Sequence, residues 1–88
     1  MVKKYKIPYE NGYTIYSISK CKYCTMINEK IKSVNPPINC DNYLKTARDR
    51  DNFYNFIEKY TKKPYKYFPM VFKNGVFIGG YKEWLESK

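Results

Sequence analysis

The chain has no histidine. That absence removes Ser-His-Asp triads, Cys-His pairs and metal sites built on imidazole, leaving cysteine, carboxylate, lysine and tyrosine to carry any chemistry. Cysteine is scarce too: Cys21, Cys24 and Cys40 are three in number, too few and too odd for the paired framework of small secreted domains. A reducing, cytoplasmic compartment is therefore expected. No apolar run approaches the roughly 18 residues of a membrane span, and the basic start Met1-Val2-Lys3-Lys4 leads into no apolar signal segment. No membrane partner is expected. Acidic residues are also few, 8 against 17 basic ones for a net charge of +9, yet Arg48 and Arg50 are the only arginines. An excess made almost wholly of lysine, beside abundant Asn, Ile and Tyr, reads more readily as composition bias than as a nucleic-acid footprint. Nucleic acid is not expected as a partner, although a basic module that binds nucleic acid or an acidic protein remains the rival from another functional class.

What is present suits one small fold. A chain of 88 residues cannot build two cores, but 43% hydrophobic and 19% aromatic content is ample for one rich in rings. Residues 1–12, Lys/Tyr-rich and broken by Pro8 and Asn11-Gly12, read as a basic N-terminal arm or short extra strand before a domain at 13–88. Tyr13 to Ile18, aromatic and β-branched, predicts a buried strand. Cys24, Ile27, Ile31 and Val34 recur at helical spacing and predict a helix from about Tyr23 to Val34, stopped by Asn35-Pro36-Pro37. A second strand is expected over Ile38 to Tyr43, by position more than by pattern. Phe53, Phe56, Ile57 and Tyr60 make one apolar stripe and predict a helix over Asp49 to Thr61. Met70 to Lys73 and Val76 to Ile78 flank Asn74-Gly75, the strongest short-range hairpin signal. After Gly79-Gly80 a short helix over Tyr81 to Glu86 is expected to pack Trp84 and Leu85 on the sheet.

Cys21-Lys22-Tyr23-Cys24 falls where the first strand ends and the first helix begins. Residues three apart in a first helical turn share a face, which leaves Cys21 accessible at the helix end and Cys24 sheltered. The positive end of the helix, with Lys20 and Lys22 on either side, favours a thiolate at Cys21. A CxxC in a βαβ pattern is a redox signature. The residues alone also leave open a zinc site completed from elsewhere, a purely structural disulfide, or two core cysteines. Cys40 reads as a buried small hydrophobe.

From Tyr13 to Leu85 the chain resembles the glutaredoxin family, a branch of the thioredoxin fold. The features that carry this are the strand followed by Cys21-Lys22-Tyr23-Cys24, then Phe68-Pro69-Met70-Val71-Phe72, the turn Asn74-Gly75, and Ile78-Gly79-Gly80 before the last helix. The short length and the Lys just before the cysteine motif look like the compact glutaredoxins of large DNA viruses and phages, which would place the protein in a host cytoplasm. The resemblance implies a thioredoxin-like α/β fold, β-α-β-α-β-β-α, with a four-stranded mixed sheet flanked by three helices. It implies a dithiol, glutathione-dependent thiol-disulfide oxidoreductase, with glutathione as co-substrate and no metal. Disulfide-containing client proteins, ribonucleotide reductase among them, would be the recipients, and a monomer is expected.

By the same resemblance Cys21 is the nucleophile and Cys24 resolves its mixed disulfide. Pro69 is expected to be cis, with the backbone of Phe68 facing the cysteinyl part of glutathione. A ligand carboxylate would meet the amides of Gly80, Tyr81 and Lys82, Lys66 would face the glycine carboxylate, and Tyr23 would pack over the sulfur and groove. The chain departs from the family pattern at three places: Lys22 stands for the usual Pro, Ile18 for a Lys, and Tyr81-Lys82 for a small residue and the Asp that takes the glutathione amine. Glu83 is the nearest acid to that last position. These departures keep a thioredoxin-like electron donor, reduced by a flavin-dependent reductase, as the nearest rival.

Overall fold

The computed structural model describes residues 5–31 and 35–87. Its order is β1 (Tyr13–Ser17), α1 (Lys22–Lys30), β2 (Ile38–Asn39), a short 3-10 turn (Asp41–Tyr43), α2 (Ala47–Thr61), β3 (Met70–Lys73), β4 (Val76–Gly79) and α3 (Tyr81–Glu86). The four strands form one mixed sheet in the order β2-β1-β3-β4. β1 runs parallel to β2, with Tyr16 opposite Ile38, and antiparallel to β3, with Ile15 opposite Val71. A helix must separate two parallel neighbours, whereas β3 and β4 need only a tight turn. This is the mixed sheet with three α-helices that the sequence predicts.

Alternation along the strands sends side chains to opposite faces and so splits the core in two. Tyr16, Met70 and Phe72 face α2, where they bury Phe53 and Ile57 together with Ile38 and Cys40. Ile15 and Val71 face the other way and pack with Ile27 of α1 and Trp84 of α3. Trp84 is buried as expected, but Leu85 is 42% exposed. Neighbouring positions on a helix point about 100° apart, so a helix of six residues seats one of the pair on the sheet and not both.

The element ends differ from expectation for local reasons. α1 closes at Lys30, where Ile31 turns extended and its N–H donates to Ile27 O at 2.8 Å; the expected end at Val34 lies outside the described residues. β2 stops at Asn39 instead of reaching Tyr43, because the next residues turn to bring Asp41 onto the loop before α1. α2 starts earlier than expected, at Ala47, with Thr46 Oγ1 accepting the N–H of Asp49 at 3.0 Å as its cap. Asn74 and Gly75 both adopt positive φ (52° and 81°), which the two-residue hairpin turn requires.

Residues 5–12 form no strand. Met1 to Lys4 of the expected arm lie outside the described residues. Tyr5 packs edge-on to Tyr43 at 4.8 Å and to Phe53 at 5.6 Å, and Tyr16 Oη donates to Lys6 O at 2.6 Å. Farther along, Gly12 N–H donates to Asn74 Oδ1 and Asn74 N–H to Gly12 O, each at 2.8 Å, so the turn closing this segment is clasped to the β3–β4 turn.

Candidate active site

The first strand delivers the chain to the front of the sheet, where a tight loop prepares the helix start. Ser19 N–H donates to Asp41 Oδ1 at 2.9 Å, and its hydroxyl donates to the other carboxylate oxygen. The Ser19 hydroxyl and then its amide hold the Asp41 carboxyl below its ordinary value. Lys20 follows in the left-handed region, φ 57°, and Cys21 then caps α1. Its Sγ accepts the N–H of Cys24 at 3.2 Å, so a backbone donor is aimed at the sulfur. On its other side the same sulfur lies 3.8 Å from Phe68 O, next to a cis Phe68–Pro69 peptide bond.

The two cysteines are unlike in access. Cys21 is half-buried and Cys24 buried, and both are free thiols. Burial, followed by the contact with Cys21, pushes the Cys24 thiol up to about 12. Cys40 is fully buried, its Sγ donating to Ile38 O at 3.7 Å, and burial likewise pushes it up to about 12. It sits as the small core residue that the sequence reading expects.

Both raised thiols bear on stability. Below the ordinary thiol value of 9.0 the folded and unfolded chains are equally protonated at these sulfurs, and the stabilisation is complete. As pH rises toward about 12 the unfolded chain sheds these protons first, so the folded state loses ground. Under reducing conditions the urea midpoint is expected to fall as pH rises from about 9 to about 11. A midpoint that is flat across that window would contradict the burial of these thiols.

Beside the cysteine pair lies an open groove of about 510 Å³. That volume falls within the roughly 300–1,000 Å³ of small-ligand sites. Of the site residues expected from sequence, Tyr23, Phe68, Pro69, Gly80, Tyr81 and Lys82 line it together. Tyr23 and Tyr81 face one another with ring centroids 5.4 Å apart. Lys20 and Lys22 flank Cys21 and are exposed outside this lining, and Lys66 stands with Nζ 5.7 Å from the centre of the Tyr54 ring. Tyr65, Glu83 and Leu85 complete the groove.

Glu83 is the residue that changes the reading of the Gly-Gly pair. Its Oε1 accepts the N–H of Gly80 at 2.8 Å, so the amide at the start of α3 already has a carboxylate partner from within the chain. Gly79, at φ 138°, makes room for this: a Cβ there would lie 2.6 Å from Glu83 Cβ. Only glycine adopts that backbone readily. At Gly80 a Cβ would lie 2.6 Å from the Tyr65 hydroxyl. The sequence carried one signal for this contact, the acid three residues after the helix cap. It carried none for Tyr65, a loop residue among 11 tyrosines.

No protein-family model matches the chain, and no curated protein does. Solved structures do. The dithiolic glutaredoxin 2-C-Grx1 of Trypanosoma brucei brucei superposes with a TM-score of 0.61 at 25% identity, over 88% of this chain and 75% of that one. Glutaredoxin 1 of Francisella tularensis, complexed with cacodylate, gives a TM-score of 0.68 at 20% identity, over 86% and 90%. A buckwheat glutaredoxin–glutathione complex gives 0.63 at 22% identity, over 88% and 67%. The fold is the thioredoxin fold in the form that glutaredoxins take.

Proposed function

We propose that this chain, built on a glutaredoxin fold, is a dithiol thiol-disulfide oxidoreductase that draws its electrons from glutathione. The observation that carries the reading is the unequal cysteine pair. Cys21 is the accessible cap of α1, with an amide aimed at its sulfur and Phe68 O opposite, while Cys24 is buried and held as a thiol behind it.

Cys21 as thiolate attacks one sulfur of a substrate disulfide. A Cys21–substrate disulfide forms, the substrate S–S bond breaks, and the other half leaves as a thiolate. Cys24 then gives up its proton and attacks Cys21 Sγ; the Cys21–Cys24 disulfide forms and the second substrate thiol departs. Once Cys21 is in a mixed disulfide it no longer offers Cys24 the free sulfur that contributes to holding it as a thiol, which makes the second attack easier than the first state suggests. Two glutathione molecules restore the pair: one forms a mixed disulfide on Cys21, the other takes that glutathione away as oxidised glutathione. No net charge or atom is left over.

The groove beside Cys21 is the natural seat for glutathione, with Phe68 backbone as its edge and Tyr23 and Tyr81 as its aromatic wall. A glutathione complex among the structures of the same fold supports this choice of reductant. We assign the work to a monomer in a reducing compartment, acting on disulfides of client proteins and of glutathione adducts.

A coupled assay tests the reading. Wild-type protein should turn over a glutathione mixed disulfide when glutathione and its own reductase are the only source of electrons. Inactivity there, together with turnover when a flavin-dependent thioredoxin reductase is supplied, would overturn the glutathione reading; the Gly80 amide already occupied by Glu83 would then be its structural cause.

A further inference from the structure

The connection from α2 to β3 alternates cations and rings: Lys62, Lys63 and Lys66 are exposed, Tyr67 is 72% exposed, and Tyr65 turns into the groove. The Tyr65 and Tyr67 rings meet edge to face at 5.6 Å, and the strip ends at Phe68, whose carbonyl is 3.8 Å from Cys21 Sγ. Across the groove Tyr23 is 53% exposed and Leu85 42%, with Lys82 beside them. Rings gathered around one groove mark an interaction site, and glutathione has no large apolar group with which to cover them. Glu83 is the one acid among the described lining residues, and it is committed to Gly80. The strip and the groove it borders are therefore aromatic and cationic, in a chain of net charge +9.

We infer that the Lys62–Phe68 strip is a docking surface for client protein, and that it takes an extended, acidic segment with an aromatic or aliphatic side chain next to its disulfide cysteine. This deepens the proposed oxidoreductase reading and rests on it. The charge selects the client and speeds encounter, while the rings hold the apolar neighbour of the cysteine. A polynucleotide would satisfy the cations and rings as well. It brings no disulfide to a strip that leads to a sulfur, so the polypeptide is the occupant the geometry favours.

The test uses the full chain and two synthetic peptides, each with one cysteine held as a glutathione mixed disulfide: one with Asp, Glu and Phe flanking the cysteine, one with Lys and Ser. Wild-type kcat/KM for the acidic peptide should exceed that for the basic one about tenfold or more at low salt, the gap narrowing as salt is added. The Lys62→Asp, Lys63→Glu variant should close the gap while turning over hydroxyethyl disulfide at the wild-type rate; Asp suits the left-handed conformation of residue 62 (φ 68°). In parallel, Cys21→Ser protein should bind the acidic peptide with its cysteine replaced by serine about tenfold more tightly than the basic one, a readout independent of redox activity. Equal rates and equal binding for the two peptides would overturn the proposal. So would tighter binding of a short single-stranded DNA than of the acidic peptide, which would assign the strip to nucleic acid. Loss of turnover with every disulfide, the binding preference intact, would strike the oxidoreductase reading and leave the docking surface standing.

Discussion

Replacing Cys21 with serine is expected to lower kcat/KM for a glutathione mixed disulfide by about three orders of magnitude, or ~4 kcal/mol of transition-state stabilisation. A serine hydroxyl at this position is a far weaker nucleophile, and no other sulfur can replace it. Cys24 is buried and held as a thiol near 12, and Cys40 is sealed in the core. Cys24→Ser should behave differently. It keeps the nucleophile, so glutathione adducts are still exchanged at Cys21, but a protein disulfide attacked by Cys21 stays attached as a trapped mixed disulfide. Steady-state kinetics on both substrates, with mass spectrometry of the trapped species, reads the two variants. Equal loss in Cys21→Ser and Cys24→Ser on the glutathione adduct would show that the roles are not divided as proposed.

Phe53→Ala should be the most destabilising single truncation, by about 3–5 kcal/mol. Phe53 is fully buried on α2, and its ring stacks on Tyr43 at 5.5 Å and on Phe68 at 6.3 Å while meeting Tyr5 and Tyr16 at 5.6 and 6.2 Å. The cavity would open between the N-terminal segment, the sheet and the loop that faces Cys21. Small domains hold only about 5–15 kcal/mol in all, so much of the stability is at stake. Urea denaturation measures the loss, and truncating the exposed Val76 to alanine serves as the comparison. A shift for Phe53→Ala as small as that for Val76→Ala would mean that the aromatic cluster relaxes to fill the gap.

How much of this was legible from residues alone depended on how local the cause was. The β3–β4 hairpin follows from two adjacent residues, Asn74 and Gly75, whose backbone preference settles the turn, and α2 follows from a stripe at one period. β2 stops short of Tyr43 because its pairing lasts only through Tyr16–Ile38 and Ser17–Asn39; what bends the chain away is the bond that Ser19 N–H donates to Asp41, 22 residues distant in sequence. The same limit applies to the site. Cys21 and Cys24 announce themselves by spacing, and Phe68-Pro69 and Gly80-Tyr81 by resemblance. Tyr65 enters the groove only through the path of a loop, and Lys66, one residue on, is carried toward Tyr54 instead.

The central place of β1 sets an order on biosynthesis. As the chain leaves the ribosome, Tyr13–Ser17 can at first find only β2; its other edge stays bare until Met70–Lys73 has been made. The clasp between Gly12 and Asn74 is later still, and it joins residues 62 positions apart. The nascent polypeptide thus carries its cysteine motif on an unfinished sheet while the residues between Cys21 and Phe68, 47 positions apart, are being made, and the front that presents Cys21 is assembled only once Phe68 can stand across from it.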